Sequence, residues 1–201
     1  MKRFFGPIMT GAIALSLTVP AQAGWKLIPA NEEVRLKKSG MTVTPKKEWN
    51  RWTRRPGKKA EAWTLDGLNL NEITFYGGIE TGDTLLKDRN KKTKPLPKFD
   101  STMLIPDIVQ WFEANNRIVL DTALFEIDSI EPVQFADHQG FRFTYHYVAT
   151  GDELVRKGEA MGAMVDGKLY LINYAAPEIH FFDHNRADFV QLVESVRFSG
   201  K

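Results

Sequence analysis

The sequence predicts an α+β domain: a central antiparallel sheet with helices packed on it. Three observations carry that expectation. Long alternating runs occupy the second half of the chain, as in Phe141, Phe143, Tyr145 and Tyr147 against Arg142, Thr144 and His146; this is the period of a sheet with one buried face. Turn dipeptides such as Gly151-Asp152 and Asp166-Gly167 separate these runs, so neighbouring strands join as antiparallel hairpins without crossovers. Two segments switch to apolar spacings of three and four: Ile105, Ile108, Val109 and Phe112, then Phe189, Leu192, Val193 and Val196. That is the period of an amphipathic helix.

Taken from the start, residues 1–23 read as a cleavable secretory signal peptide. Lys2 and Arg3 form a basic n-region, Phe4 through Val19 is almost wholly apolar or small, and Ala21-Gln22-Ala23 offers small residues to a signal peptidase. Cleavage is expected between Ala23 and Gly24, leaving one domain over 24–201 in the periplasm or outside the cell. The apolar run is shorter than the roughly 20 residues of a membrane span, and no later segment is free of charge long enough to make one, so no integral span is expected after cleavage. The chain has no Cys. An exported domain without disulfides depends on an ordinary hydrophobic core, which a chain of this length can build.

Within that domain, Met41–Thr44 alternates as a strand and stops at Pro45. Ala60–Leu65 and Glu72–Ile79 read as two further strands around the Asp66-Gly67 turn. The polar, proline-bearing stretch from Lys87 to Lys98 is the clearest loop and is expected to be mobile. A helix is predicted over about 105–115, with Pro106 near its start, where a missing N–H costs little. Strands are then predicted at 122–127, 131–137, 140–150, 155–165 and 168–175, with a turn at His138-Gln139-Gly140. A last helix is expected over about 185–196, capped by Asp183 or Asn185.

Charge is distributed unevenly. From Gly24 to Asp100 there are 17 Lys and Arg against 10 Asp and Glu, and from Ser101 onward 8 against 15. The basic excess gathers at Lys46-Lys47, at Arg51 to Lys59 and along the 87–98 loop. Two readings fit: solvated turns rich in lysine, or a patch for an anionic partner such as phospholipid, polysaccharide or an acidic protein face. No nucleic-acid-binding motif is present. Trp52, with Arg51, Arg54, Arg55, Lys58 and Lys59 around it, is the candidate binding group, since aromatics interleaved with guanidinium groups suit sugars, headgroups or a protein hot spot. Trp49, three residues earlier, reads as core.

The second half also shows a family likeness. Gly140-Phe141-Arg142-Phe143-Thr144-Tyr145, Arg156 opening a long strand through Met164, Asp166-Gly167-Lys168-Leu169-Tyr170, Ala176-Pro177-Glu178 and the closing Glu194-Ser195-Val196-Arg197-Phe198 resemble the Mog1/PsbP-like family. Ser39 to Pro45 followed by Trp49 is similar to the opening strand and aromatic of such domains. The resemblance implies an antiparallel sheet sandwiched by helices and a domain that binds or assists other molecules. Its members include a photosystem extrinsic subunit and a regulator of a small GTPase, and it brings no catalytic set with it.

A search for chemistry among the residues themselves gives little. His180 and His184 are four apart, the spacing of a helical metal pair, but Ile179–Phe182 reads as extended or loop, so no metal site is expected. Glu126, Asp128 and Glu131 fit a strand end and turn without acid–base work. No phosphate-binding glycine motif occurs. The leading expectation is therefore a non-catalytic binding or assembly-assisting domain of the cell envelope, with no cofactor and another envelope protein as partner. The alternatives are an envelope hydrolase with a dispersed site near His138, His146 or His180, and a surface module that takes anionic lipid or polysaccharide through its basic half.

Overall fold

The computed structural model describes residues 24–36, 39–122 and 124–198; the leader expected over 1–23 lies outside them. The strands are β1 (Trp25–Ile28), β2 (Val34–Arg35), β3 (Met41–Val43), β4 (Trp49–Trp52), β5 (Ala60–Thr64) and β6 (Glu72–Ile79), followed by helix α1 (Ile105–Leu120). Then come β7 (Phe125–Phe135), β8 (His138–Tyr147), β9 (Arg156–Val165), β10 (Lys168–Pro177), helix α2 (Phe181–Glu194) and β11 (Arg197–Phe198). Eight strands form one antiparallel sheet in the order β1-β4-β5-β6-β10-β9-β8-β7, and β11-β3-β2 make a small second sheet. This is the expected α+β architecture, with one helix on each face of the sheet.

Alternation decides which residues each helix meets. On β8 the odd residues turn to α1, where the Phe112 ring lies 5.0 Å from Phe143 and 5.4 Å from Tyr145. Their neighbours across the strands, Ala160 on β9 and Leu171 on β10, share that core. The opposite face carries Ile73, Phe75, Trp63 and Tyr174 against Phe182, Phe189 and Leu192 of α2. Each face carries a buried apolar cluster, so the sheet is covered on both sides there and neither helix can leave without exposing aromatic surface. The large ring of Tyr145 fits because Gly158 is its cross-strand neighbour: a Cβ on Gly158 would stand 2.0 Å from the ring.

Several elements differ from the expectation. Helix α1 runs past the expected end at 115 to Leu120, and Asn115 and Asn116 within it donate their side-chain amides to the carbonyls of Trp111 and Phe112 one turn back. The two strands expected at 122–127 and 131–137 are one, β7, continued through an irregularity between Ile127 and Ser129. Its hairpin turn is Ala136-Asp137, with Ala136 at φ 48°, not His138–Gly140, which already pairs in the ladder. The Asp166-Gly167 turn has positive φ at both positions, as a two-residue hairpin requires. Helix α2 starts at Phe181, four residues before the expected Asn185, and ends at Glu194. Apolar Phe181 and Phe182 hid its first turn.

Candidate functional site

Two concave regions lie side by side at the α1 face, where the 86–96 segment crosses in front of the sheet. The inner one is a cavity of about 360 Å³, within the roughly 300–1,000 Å³ usual for small-molecule sites. The outer one is an open groove. Trp52, Leu86, Lys87, Asp88, Arg89 and Leu96 border both.

The segment is held in place by its apolar residues. Leu85, Leu96 and Phe99 are buried, Thr84 pairs with Lys98, and Trp111 of α1 donates its indole N–H to the Pro97 carbonyl at 3.0 Å. Lys87 N–H reaches the Pro56 carbonyl at 2.8 Å, which brings the 87–98 loop against the Arg54–Lys59 turn. Gly57 makes that approach possible, since a Cβ there would stand 2.5 Å from the Leu85 carbonyl oxygen. Two basic stretches that are some thirty residues apart in sequence thus become one wall. Arg54, Arg55, Lys58, Lys91 and Lys98 line the groove with Lys87 and Arg89. Arg54, Arg55, Lys87, Arg89, Lys91 and Lys98 form no ion pair among the described residues.

The structure divides the residues expected to bind. Trp52 is half-buried on β4 and stands where the cavity and the groove meet; Arg54, Arg55 and Lys58 are exposed on the groove. Arg51 does not belong with them. Alternation turns it to the α2 face, where it is 9% exposed, 3.7 Å from Glu61, which also accepts the Trp63 indole N–H at 2.8 Å. Lys59 is taken up structurally, bonded to the Gly78 carbonyl and paired with Glu80 at 3.0 Å and Asp83 at 2.8 Å. Partial burial works against its charge, but those bonds outweigh it and hold its amine above the usual lysine range. Lys168 and Lys59 together hold the Glu80 carboxyl down at about 2. Trp49, read as core, is 2% exposed.

The cavity has residues that sequence reasoning missed. Its sheet side presents Glu72 and Tyr76 of β6, Tyr145 and Tyr147 of β8, and Asn173 and Ala175 of β10. Tyr145 donates its hydroxyl to Asn173 Oδ1 at 2.9 Å, and Thr74 donates to Glu72. Burial pushes the Glu72 carboxyl above the usual range, only partly offset by the Thr74 bond and by Arg156; burial likewise raises the Tyr147 phenol to about 12. Asp88 accepts from Leu96 N–H through one oxygen, while Oδ1 is buried without a partner among the described residues. The walls opposite come from Leu86, Leu96 and the last turn of α1. No signal in a single strand marks these groups: they belong to three strands and alternate with core residues.

The histidines named for a dispersed site stand apart. His138 packs edge-on against Phe198 at 5.1 Å, and His146 meets Asp128 at 2.8 Å and Glu126 at 3.7 Å on the α2 face. His180 and His184 stack at 5.0 Å, with His180 the N-cap residue of α2, at φ 68°, and His184 in the first turn of the helix. None of the four lines the cavity or the groove. Among the described residues no cluster of three His, Asp or Glu is suited to a metal, and no helix is long and apolar enough to cross a membrane.

No protein-family model matches the sequence, and no curated protein matches it. Solved structures do. Cyanobacterial PsbP (CyanoP) from Synechocystis sp. PCC 6803 aligns with a TM-score of 0.53 at 13% identity, over 94% of this chain and 98% of that one. The fold is Mog1/PsbP-like. The Saccharomyces cerevisiae Ran-binding protein Mog1p aligns at TM-score 0.43 and 11% identity, over 86% of this chain and 97% of that one. LpqN, involved in cell envelope biogenesis of Mycobacterium tuberculosis, aligns at TM-score 0.37 and 8% identity, over 88% and 79%.

Proposed function

We propose that this chain is an exported, single-domain protein of the cell envelope over 24–201 that binds a partner without transforming it, and that the basic wall around Trp52 is its contact surface. The observation that carries this reading is the union of Arg54, Arg55 and Lys58 with the 87–98 loop on one groove, with most of their charges unpaired. Unpaired guanidinium and ammonium groups around an aromatic cost the fold little and gain most when an acidic surface meets them. The partner is an acidic face of another envelope protein, and the loop crest over 90–95 is the part that adjusts to it.

Affinity capture from a native envelope extract tests the proposal. A specific partner retained at roughly 0.05 M salt and released at roughly 0.5 M, where screening shortens to a few ångströms, is the expected result. The Arg54→Glu/Arg55→Glu/Lys58→Glu variant should lose that partner while melting like the parent. Capture that survives both changes overturns the reading. So does turnover of a hydrolase substrate that one substitution abolishes. Retention of the same charge dependence on anionic vesicles or polysaccharide alone transfers the surface to those ligands.

A further inference from the structure

The basic wall accounts for the groove and leaves the cavity behind it without a role. That cavity has three kinds of surface. Leu86, Leu96, Val119 and Leu120 give it apolar sides. Val119, near the end of α1, is 50% exposed. At the sheet, Glu72 keeps part of its surface open, and Asn173 is engaged through its amide oxygen by Tyr145. At the mouth stand Lys87, Arg89 and Lys94, the last paired with Asp121 at 2.8 Å.

A structural core leaves no such arrangement. Polar groups buried for stability are paired with one another, as Glu159 is with Arg142 at 2.6 Å and Arg186 at 2.5 Å on the other face. Here a carboxyl and an amide border a space wide enough for a small molecule. A polymer or a protein face that meets the groove stays outside Trp52. What fits behind it is small, apolar along its body, and acidic where it passes the three cations. The neutral ends of Tyr76 and Asn173 suit a hydrogen-bonding group on that body.

We propose that this cavity is a binding site for a small anionic amphiphile, a molecule with one acidic head at Lys87 and Arg89 and an apolar acyl or aryl body between the α1 C-terminal turn and the sheet. The site shares the cations of the wall and adds to the reading above a ligand that a protein partner does not supply. The acidic head is a carboxylate or a phosphate monoester, both of which arise from envelope lipids.

Titration calorimetry of the mature domain with decanoate, decyl phosphate, decanol, acetate and inorganic phosphate tests it. The two anionic amphiphiles, kept below their micelle concentrations, should bind one to one; decanol should bind about tenfold or more weakly, as expected when a charge-assisted contact is lost; acetate and phosphate should show no saturable binding. The ratio of decanoate to decyl phosphate distinguishes the two head groups. Ala175→Phe, which fills the cavity from β10, should abolish amphiphile binding and leave the salt-sensitive capture of the partner intact. The Lys87→Glu/Arg89→Glu variant, changed only at exposed positions, should weaken decanoate and not decanol; it decides the matter should Ala175→Phe fail to melt cooperatively. Absence of saturable decanoate and decyl phosphate binding, or acetate or inorganic phosphate binding as tightly as the amphiphiles, overturns the inference, as does undiminished decanoate binding to a folded Ala175→Phe or to the charge variant.

Discussion

The two faces of the sheet bury polar groups in opposite ways. Under α2, Glu159 is 1% exposed and is held by Arg142 and Arg186, with Glu131 completing the chain at 3.2 Å from Arg142. Burial alone pushes its carboxyl up, but the hydrogen bonds from the two arginines outweigh that and keep it below the usual range. Under α1, Glu72 has a hydroxyl for a neighbour instead of two guanidinium groups, and its carboxyl is pushed the other way. The difference teaches where function is to be sought. A buried charge with matched partners maintains the fold, while one bordering a cavity and lacking an ion-pair partner is kept at some cost and is free to meet a ligand.

Breaking the matched side should have the largest effect. Glu159→Gln leaves two arginines facing each other at the sheet; removing one partner of a fully buried pair costs about 3–5 kcal/mol, and because Arg186 is 41% exposed a loss of about 2–3 kcal/mol is expected from urea unfolding. Gly158→Ala comes next. It drives a methyl into the Tyr145 ring, an overpacking that costs about 1–3 kcal/mol, and it should narrow the cavity, so that decanoate affinity falls along with the melting temperature. Glu72→Gln should have the smallest effect, because Gln preserves the acceptor used by Thr74 and removes only the ionisation.

The sign of the pH response separates the same two carboxyls. Glu159, held low, contributes stability that is present above the ordinary glutamate value of 4.5 and is lost as pH falls through its lower folded value. Glu72, held high, contributes stability that is present below 4.5 and is lost as pH rises through its higher folded value. Denaturation curves across pH should therefore show Glu72→Gln gaining on the parent as pH rises above that range, by less than about 1 kcal/mol where cavity exposure lets water relieve the charge. Equal and parallel curves for the two proteins would remove the distinction drawn between the faces.

Much of the fold could be read from residues in order. Phe141, Phe143, Tyr145 and Tyr147 alternate because one side of β8 faces α1, and Asp166-Gly167 tolerates the positive φ of a tight hairpin; both are properties of neighbours in sequence. Where side chains satisfied the backbone from unusual positions the reading fell short. Asn115 and Asn116 continue α1 by bonding one turn back, and α2 begins in Phe181-Phe182, an apolar pair that looks like strand in a linear sequence, with Phe182 buried against Tyr174. Of the candidate binding group, Trp52, Arg54, Arg55 and Lys58 stand out in the sequence as a run of aromatic and cation, and the structure sets them along one groove. Arg51 was misplaced because alternation on β4, a strand the sequence did not reveal, sends it to the other face.

By itself the sequence determined the class of the domain, the hairpins of its second half, the absence of disulfides and the presence of two basic stretches. All of these depend on period, turn chemistry and composition, which act locally. Tertiary structure alone decided that the two stretches form one wall, through Gly57 against Leu85 and Lys87 against Pro56. It also decided that Glu72, Tyr145 and Asn173, from three strands, border one cavity. Strand order is set by which apolar faces pack together over long separations, and no spacing along the chain encodes it.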